Sequence, residues 1–158
     1  MPHTDFDFVH GSWAVHNRRR RDSLDATSTE WDEFASTGTH TPLLGGIGNL
    51  ESYETTEFPG IGQFSGLALR LHEPDTDTWR IWWSSNAAPG RLDPPLVGGF
   101  DGRRGTFLSR DVVRGTEVDV RFIWQHVDDT RATWEQAFSV DGGDTWDTNW
   151  TMEMTRTS

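Results

Sequence analysis

The amino-acid sequence predicts an all-β fold, an antiparallel up-and-down barrel of roughly ten strands with a short N-terminal cap. Two observations lead to this prediction. Short runs of alternating or aromatic residues follow one another along the 158 residues, separated by clusters of glycine, proline and aspartate. No stretch after the first residues has the apolar spacing of a helix. A closed barrel is favoured over an open sheet because closure removes the strand edges that aggregate.

The alternating pattern places these strands along the whole chain, joined mostly by hairpins. Turn-forming residues mark the connections, for example Asp101-Gly102 and residues 127–130. A chain of this length encloses one sizeable core, so we expect a single domain over residues 1–158. The expected strands are residues 13–21, 30–39, 48–57, 63–72, 78–84, 96–101, 105–110, 117–126, 131–140 and 146–156.

The composition is acidic, and its basic residues are of one kind. Asp and Glu number 25 against 14 Lys and Arg, a formal net charge of -11, and every basic residue is arginine. A nucleic-acid partner is disfavoured because a phosphate backbone requires clustered cations. The one basic run, residues 18–21, is expected to be a strand end with some arginines in solvent. Without lysine or cysteine, Schiff-base catalysis, thiol catalysis and disulfides are excluded.

The N-terminal segment MPHTDFDFVHGSW has neither the basic start nor the apolar run of a signal peptide. No segment approaches the roughly eighteen consecutive apolar residues of a membrane span. We therefore expect a cytoplasmic protein with no membrane partner. The sequence leaves open whether it is a monomer or a homodimer.

The first strand follows an aromatic start, Phe6 and Phe8, which belongs to the expected cap. Side chains along a strand alternate between its two faces. With Trp13 facing the interior, the inner face also holds Val15, Asn17 and Arg19, and the outer face holds Ala14, His16, Arg18 and Arg20.

An inward guanidinium at Arg19 requires a partner, because burying an unpaired charge costs several kcal/mol. Glu51 and Glu135 are the expected partners, with Asn49 and Gln136 as neutral neighbours. Arg19 could therefore belong to a structural ion pair at the barrel floor or supply a charge for function, and the sequence leaves both roles open.

Nine Trp and nine Phe against one Tyr indicate an interior lined by aromatic rings. The strand phase predicts that these rings surround a cavity for one small ligand, which a barrel of about eight or more strands can hold. Alternatively, the rings fill the interior themselves. The expected ligand-binding residues are Trp83, Trp124, Trp134, Gln136, Phe138, Trp150, Asn49 and Phe122.

The segment SVDGGDTW, residues 139–146, matches the Asp-box pattern S-x-D-x-G-x-T-W that recurs in sialidases and other propeller proteins. A propeller needs at least four blades of roughly 40 to 45 residues each, and the chain contains the pattern once. A propeller is therefore excluded. The pattern predicts a hairpin clasp instead, in which an Asp accepts hydrogen bonds from its own turn and glycines adopt positive φ.

Gly11-Ser12-Trp13 resembles the G-x-W triplet at the start of lipocalin-like barrels, where the Trp lies at the closed end. The chain as a whole resembles uncharacterised bacterial proteins of lipocalin-like (calycin) type, similar to the DUF1579 group. The resemblance implies a fold more firmly than an activity. The similar stretches are FDFVHGSWAVHNRR, LLGGIGNLESYE, GRLDPPLVGGFDGRRGTF and WEQAFSVDGGDTWDTNWTMEMTR.

Known catalytic and metal-binding motifs do not occur in the sequence. Residues 62–66 read GQFSG, so the serine sits one place too late for the G-x-S-x-G elbow. Six scattered histidines have no metal-ligand spacing, so we expect no metal and no cofactor.

Haem is the weakest alternative. Nitrobindin-like barrels bind it through a histidine near the C-terminal end, whereas residues 146–158 contain no histidine. His126, His72 and His40 are the histidines that could point inward.

Arg70 and His72 are expected at the rim of the barrel, in contact with water.

Two functions of different classes remain. The first is a carrier or sensor that encloses a small apolar or aromatic molecule. The second is a cofactor-free enzyme, such as a cyclase, isomerase or dehydratase, that confines a reactive substrate and moves one proton. His126 with Glu51 or Glu135 would supply the acid and base, and Arg19 would stabilise a developing oxyanion.

Overall fold

Ten antiparallel strands close into a barrel in the computed structural model, which describes residues 2–158. The strands are β1 Gly11–Arg20, β2 Trp31–Leu43, β3 Gly48–Phe58, β4 Gly62–Glu73, β5 Thr78–Ser85, β6 Leu96–Asp101, β7 Arg104–Val113, β8 Thr116–Asp128, β9 Arg131–Ser139 and β10 Asp147–Arg156. Each strand pairs with its neighbours along the chain, and β1 also pairs with β10, which closes the ring. The predicted all-β class and up-and-down barrel are confirmed.

The N-terminal residues close one end of the barrel. They form two short 3-10 helices, Pro2–Thr4 and Asp7–Val9. Phe6 between them is fully buried, and its ring centroid lies 5.0 Å from that of Trp79 and 4.9 Å from that of Phe100. The predicted N-terminal cap is therefore confirmed. No helix within residues 2–158 has the length and apolar character needed to cross a membrane.

Trp13 joins the first strand to the last strand and to the cap. Its buried indole Nε1 donates a hydrogen bond to the carbonyl oxygen of Val9 at 2.7 Å. The guanidinium carbon of Arg156 on β10 lies 4.4 Å from the centre of the Trp13 ring. Arg156 also donates to the carbonyl oxygens of Phe8 and His10, each at 2.5 Å. The closed end is thus held by a cation–π contact and the hydrogen bonds around it.

Arg20 is buried, although it was predicted on the outer face in a run with some arginines in solvent. It shares the Trp31 ring with the outer-face Arg18, yet it is 2% exposed. Its nitrogens donate to both carboxylate oxygens of Asp147 at 2.8 and 2.5 Å, and to the carbonyl oxygen of Asp22 at 2.8 Å. The loop after β1 folds back over the side chain, and the start of β10 supplies the counter-charge. Neither contact can be read from the alternation of β1 alone.

The second strand is longer than predicted, because it continues to Leu43 instead of ending at residue 39. Pro42 would normally end a strand. It pairs with Asn49 on β3, beyond the last pair that β2 makes with β1, which joins His40 to Gly11. A proline at such an edge removes no ladder hydrogen bond, since no strand lies on its nitrogen side.

The Asp-box segment forms the predicted hairpin clasp between β9 and β10. The hydroxyl of Ser139 accepts from the Gly143 N–H at 2.9 Å, and Asp141 accepts from the Thr145 N–H at 2.9 Å and hydroxyl at 2.5 Å. Gly142 and Gly143 have φ values of 76 and 94 degrees, which residues with a side chain rarely adopt. The hydrogen bonds from Thr145 and from Ser139 lower the pKa of Asp141 to about 2.

Replacing Arg156 with Met should lower the free energy of unfolding by about 2–3 kcal/mol, because the change removes charged hydrogen bonds to the cap while leaving an apolar chain over Trp13. Urea unfolding followed by tryptophan fluorescence measures this difference. Arg131→Met is the control, since Arg131 pairs with Asp128 at the surface and should barely move the unfolding midpoint. Equal effects of the two changes would contradict the role assigned to Arg156.

Candidate functional site

The barrel encloses a cavity of about 230 Å³. It opens between the β5–β6 connection and the end of β7, where Asp93 and Pro94 are exposed. The aromatic side chains of its wall are Tyr53, Trp83, Phe122, Trp124, Trp134, Phe138 and Trp150. The aliphatic ones are Ala68, Ile81, Pro94, Leu96, Val113, Val120 and Met152. The polar ones are Arg19, Glu51, Arg70, Asp93, Ser109, Asp111 and Gln136.

The aromatic wall is packed in edge-to-face contacts. The ring centroids of Trp134 and Trp150 are 5.4 Å apart at 88 degrees, and those of Phe122 and Trp134 are 5.0 Å apart at 67 degrees. Gly66 makes room for Trp83, because a Cβ at Gly66 would meet the Trp83 ring at 2.3 Å. Rings held in this way present fixed apolar surfaces to the cavity.

Asn17 fixes the orientation of two of these rings. Its side-chain oxygen accepts from the Tyr53 hydroxyl at 2.9 Å and from the Trp150 indole N–H at 3.2 Å. Its side-chain nitrogen donates to the Ser36 hydroxyl at 2.8 Å. Burial raises the pKa of Tyr53, so its phenol stays neutral. The sequence predicted that Asn17 faces inward, and the structure adds that it positions aromatic residues of the wall.

Arg70 lies deep in the cavity, between the cap and the wall. It is 1% exposed, so its predicted place at the rim is wrong. One nitrogen donates to the side-chain oxygen of Asn49 at 2.8 Å, and another donates to the carboxylate of Glu51. The guanidinium carbon lies 5.0 Å from the ring centres of both Phe6 and Trp124. Its charge is thus neutralised by Glu51 and covered by two rings.

The signal for Arg70 was present in the sequence. On β4, Phe64, Gly66 and Ala68 alternate with outer-face residues, and Arg70 continues the inner series. The nearby turn at Pro74 suggested the rim instead. The strand continues to Glu73 before that turn, which leaves Arg70 inside the barrel.

His40 lies beside Arg70 and is uncharged at neutral pH. It is 2% exposed, and desolvation by burial lowers its pKa from 6.5 to about 4. Its Nδ1 lies 3.2 Å from an Arg70 nitrogen. Because arginine only donates, Nδ1 accepts and the proton of the neutral ring is on Nε2.

Arg19 faces the cavity from β1, toward the mouth. Its guanidinium carbon lies 5.2 Å from the ring centre of Phe58 and 5.3 Å from that of Trp150. No carboxylate within residues 2–158 pairs with it, so the expected pairing with Glu51 or Glu135 is wrong. Glu51 is held by Arg70 on the neighbouring strand. Burial lowers the pKa of Arg19, which nonetheless keeps its charge.

The opposite side of the mouth is acidic. Asp93 and Asp111 both contribute to its wall. Partial burial raises the pKa of Asp93, and the nearby charge of Asp111 raises it further. The carboxylates are in contact with water, whereas the Arg19 guanidinium is half-buried between two rings.

The structure brings most of the sequence-predicted site residues to one cavity. Arg19 and Glu51 line it together with Trp83, Phe122, Trp124, Trp134, Gln136, Phe138 and Trp150. Asn49 stands behind the wall, where it holds Arg70. His126 stacks on Phe8 of the cap, with centroids 4.7 Å apart, and does not line the cavity. Glu135 lies between the inward Trp134 and Gln136 and therefore points outward.

The positions of the histidines and carboxylates bear on whether the chain can hold a metal ion or haem. Within residues 2–158, no three His, Asp or Glu side chains lie close enough to hold a metal ion. No histidine of the described chain lines the cavity. His72 contacts Asp77 at 3.1 Å instead, and His40 contacts Arg70. The residues present do not fit a haem held by histidine in this cavity.

The comparisons with known proteins show a fold and no family. No protein-family model matches the sequence, and no curated protein matches it. The barrel is similar to the S-type phycobiliprotein lyase CPES from Guillardia theta, with a TM-score of 0.61 and 11% sequence identity over 97% of this chain and 90% of that chain. This similarity shows a lipocalin-like fold. At 11% identity it assigns no role of a residue in that lyase to a residue of this chain. The resemblance to the DUF1579 group stays a prediction.

Replacing Glu51 with Gln should lower the free energy of unfolding by about 3–5 kcal/mol, because Arg70 would keep a buried charge without its counter-charge. Urea unfolding measures the change. The double variant Glu51→Leu, Arg70→Met is the control, since removing both charges should restore much of the loss. A double variant as unstable as Glu51→Gln would contradict this explanation.

The free energy of unfolding should fall as the pH decreases from about 6.5 to about 4. In this range His40 is protonated in the unfolded chain but stays neutral in the folded protein. The contribution of His40 to the slope of the unfolding free energy against pH should approach about 1.4 kcal/mol per pH unit. Urea unfolding at several pH values measures it. His40→Gln should flatten the slope, and His16→Gln, at an exposed position, should not. Equal slopes in the two variants would contradict the assignment.

Proposed function

We propose that the protein binds a small, largely apolar or aromatic molecule in the barrel cavity, as a carrier or sensor. The observation that carries this proposal is the open cavity walled by tryptophan rings at fixed angles. Its volume of about 230 Å³ is below the range of about 300–1,000 Å³ typical of drug-sized ligands. The ligand is therefore expected to have one or two rings.

Binding in this cavity needs no reactive side chain. Apolar surface supplies the free energy, and the few polar groups on the wall orient the ligand. The likeness to the phycobiliprotein lyase supports the fold and leaves the ligand open. The predictions that the protein acts in the cytoplasm, as a monomer or homodimer, belong to this proposal.

A cofactor-free cyclase, isomerase or dehydratase is the second candidate, because Glu51 and Arg19 both face the cavity. Glu51 would move the proton and Arg19 would stabilise an oxyanion. The carrier is favoured for two reasons. The carboxylate of Glu51 is already engaged by Arg70, and the other predicted acid–base residues, His126 and Glu135, lie outside the cavity.

Filling the cavity should abolish binding. Ala68 is buried in the wall, and Ala68→Phe places a ring in the open space. We expect calorimetry to show binding of cinnamamide, a neutral one-ring probe, and at least about tenfold weaker binding to Ala68→Phe. Leu69→Phe is the matched control, because residue 69 faces outward on the same strand.

Native and denatured masses of freshly purified protein provide a second measurement, since a retained molecule appears only in the native spectrum. A wild-type protein that binds no cinnamamide and retains no molecule would contradict the proposed function. Equal weakening by Ala68→Phe and Leu69→Phe would place binding outside the cavity.

A further inference from the structure

We propose that the ligand is an aromatic carboxylate whose carboxylate group pairs with Arg19 at the mouth of the cavity. This inference rests on the proposed function and names the chemical class of its ligand. It is carried by one observation, a half-buried guanidinium that faces the cavity and forms no salt bridge, because the nearby carboxylate of Asp32 bonds to Arg21 instead.

The Arg19 guanidinium lies over two aromatic rings, and its hydrogen-bond donors are not used. The rings of Phe58 and Trp150 lie 5.2 and 5.3 Å from the guanidinium carbon. A guanidinium carries its five N–H donors around the edge of its plane. None of these donors has a partner within residues 2–158, none of the Arg19 nitrogens is fully buried, and the residue lines the cavity. The edge is thus free to form two parallel hydrogen bonds to a carboxylate.

Three buried or half-buried arginines of the described chain have an anionic or carbonyl partner within the protein, although the Nε of Arg70 has none. Arg20 pairs with Asp147, Arg70 pairs with Glu51, and Arg156 donates to carbonyl oxygens of the cap. Partial burial of an unpaired cation costs free energy, so a site that keeps one gains when an anion arrives. In this cavity, an anionic ligand can gain this free energy by pairing with Arg19.

The arrangement of charge around the cavity favours one orientation of the ligand. In the closed ring of ten strands, β1 lies opposite β6. Asp93, next to β6, and Asp111 on β7 place two carboxylates on that side of the mouth, which disfavour an anion there and which the single charge of Arg91 offsets only in part. At the deep end, Glu51 already neutralises Arg70. The carboxylate therefore sits against Arg19, and the aromatic body extends past Trp150 and Trp134 toward the floor.

Cinnamate and cinnamamide form a matched pair of probes, because they share one shape and differ in charge. Calorimetry should show that wild-type protein binds cinnamate more tightly than cinnamamide at pH about 7, where the acid is ionised. Arg19→Met should weaken cinnamate binding by about tenfold or more, since it removes charged hydrogen bonds. The same variant should weaken cinnamamide binding by a clearly smaller factor, because the amide oxygen can accept a hydrogen bond from Arg19 but carries no charge.

Two further variants control for structure. Arg19→Lys keeps the charge and should retain part of the preference for cinnamate. Arg18→Met removes a neighbouring cation on the outer face and should leave both affinities near those of the wild type. Retained cinnamamide binding by Arg19→Met also shows that the variant is folded.

The outcomes separate this inference from the proposed function. If the wild-type protein binds cinnamamide at least as tightly as cinnamate, the inference fails and the cavity function stands. If Arg19→Met weakens both probes equally, Arg19 is a structural residue and the inference also fails. If neither probe binds, the inference fails, and the proposed function fails with it when the native mass spectrum also shows no retained molecule.

Discussion

Closure of the barrel is the constraint on which the other features depend. The register of β1 against β10 sets Trp13 opposite Arg156 at the capped end and Arg19 opposite Trp150 at the mouth. Because side chains alternate with a period of two, a shift by one residue would turn both inward residues outward. The contact that seals the closed end and the cation that faces the cavity are therefore fixed by the same pair of strands.

The sequence predicted the fold well because period-two patterning is local. Aromatic alternation identified the strands and the inner face of each, including Trp83, Trp124 and Trp134. The ends of the strands were harder to predict. Pro42 lies in a strand because its neighbour on one side ends early, and Arg20 is buried because a loop folds over it. Both facts depend on which segments meet in space.

The site was predicted in part, for a related physical reason. Strand phase gives the face of a residue and leaves its height along the barrel and its partner open. His126 has the inward phase, but its height places it under the cap, against Phe8. Glu51 was expected beside Arg19, but the register of β3 and β4 puts it next to Arg70. The cavity wall therefore contains one guanidinium neutralised by a salt bridge, Arg70, and one that forms no salt bridge, Arg19.

The perpendicular contact between Trp134 and Trp150 has an optical consequence. Two indoles with centroids 5.4 Å apart couple electronically when they absorb light, and their relative angle determines the sign and size of the resulting circular dichroism. Both rings line the cavity, so a molecule that rotates either one by a few degrees alters that signal. A molecule bound in the cavity would therefore be detectable from this intrinsic pair of chromophores without any added label.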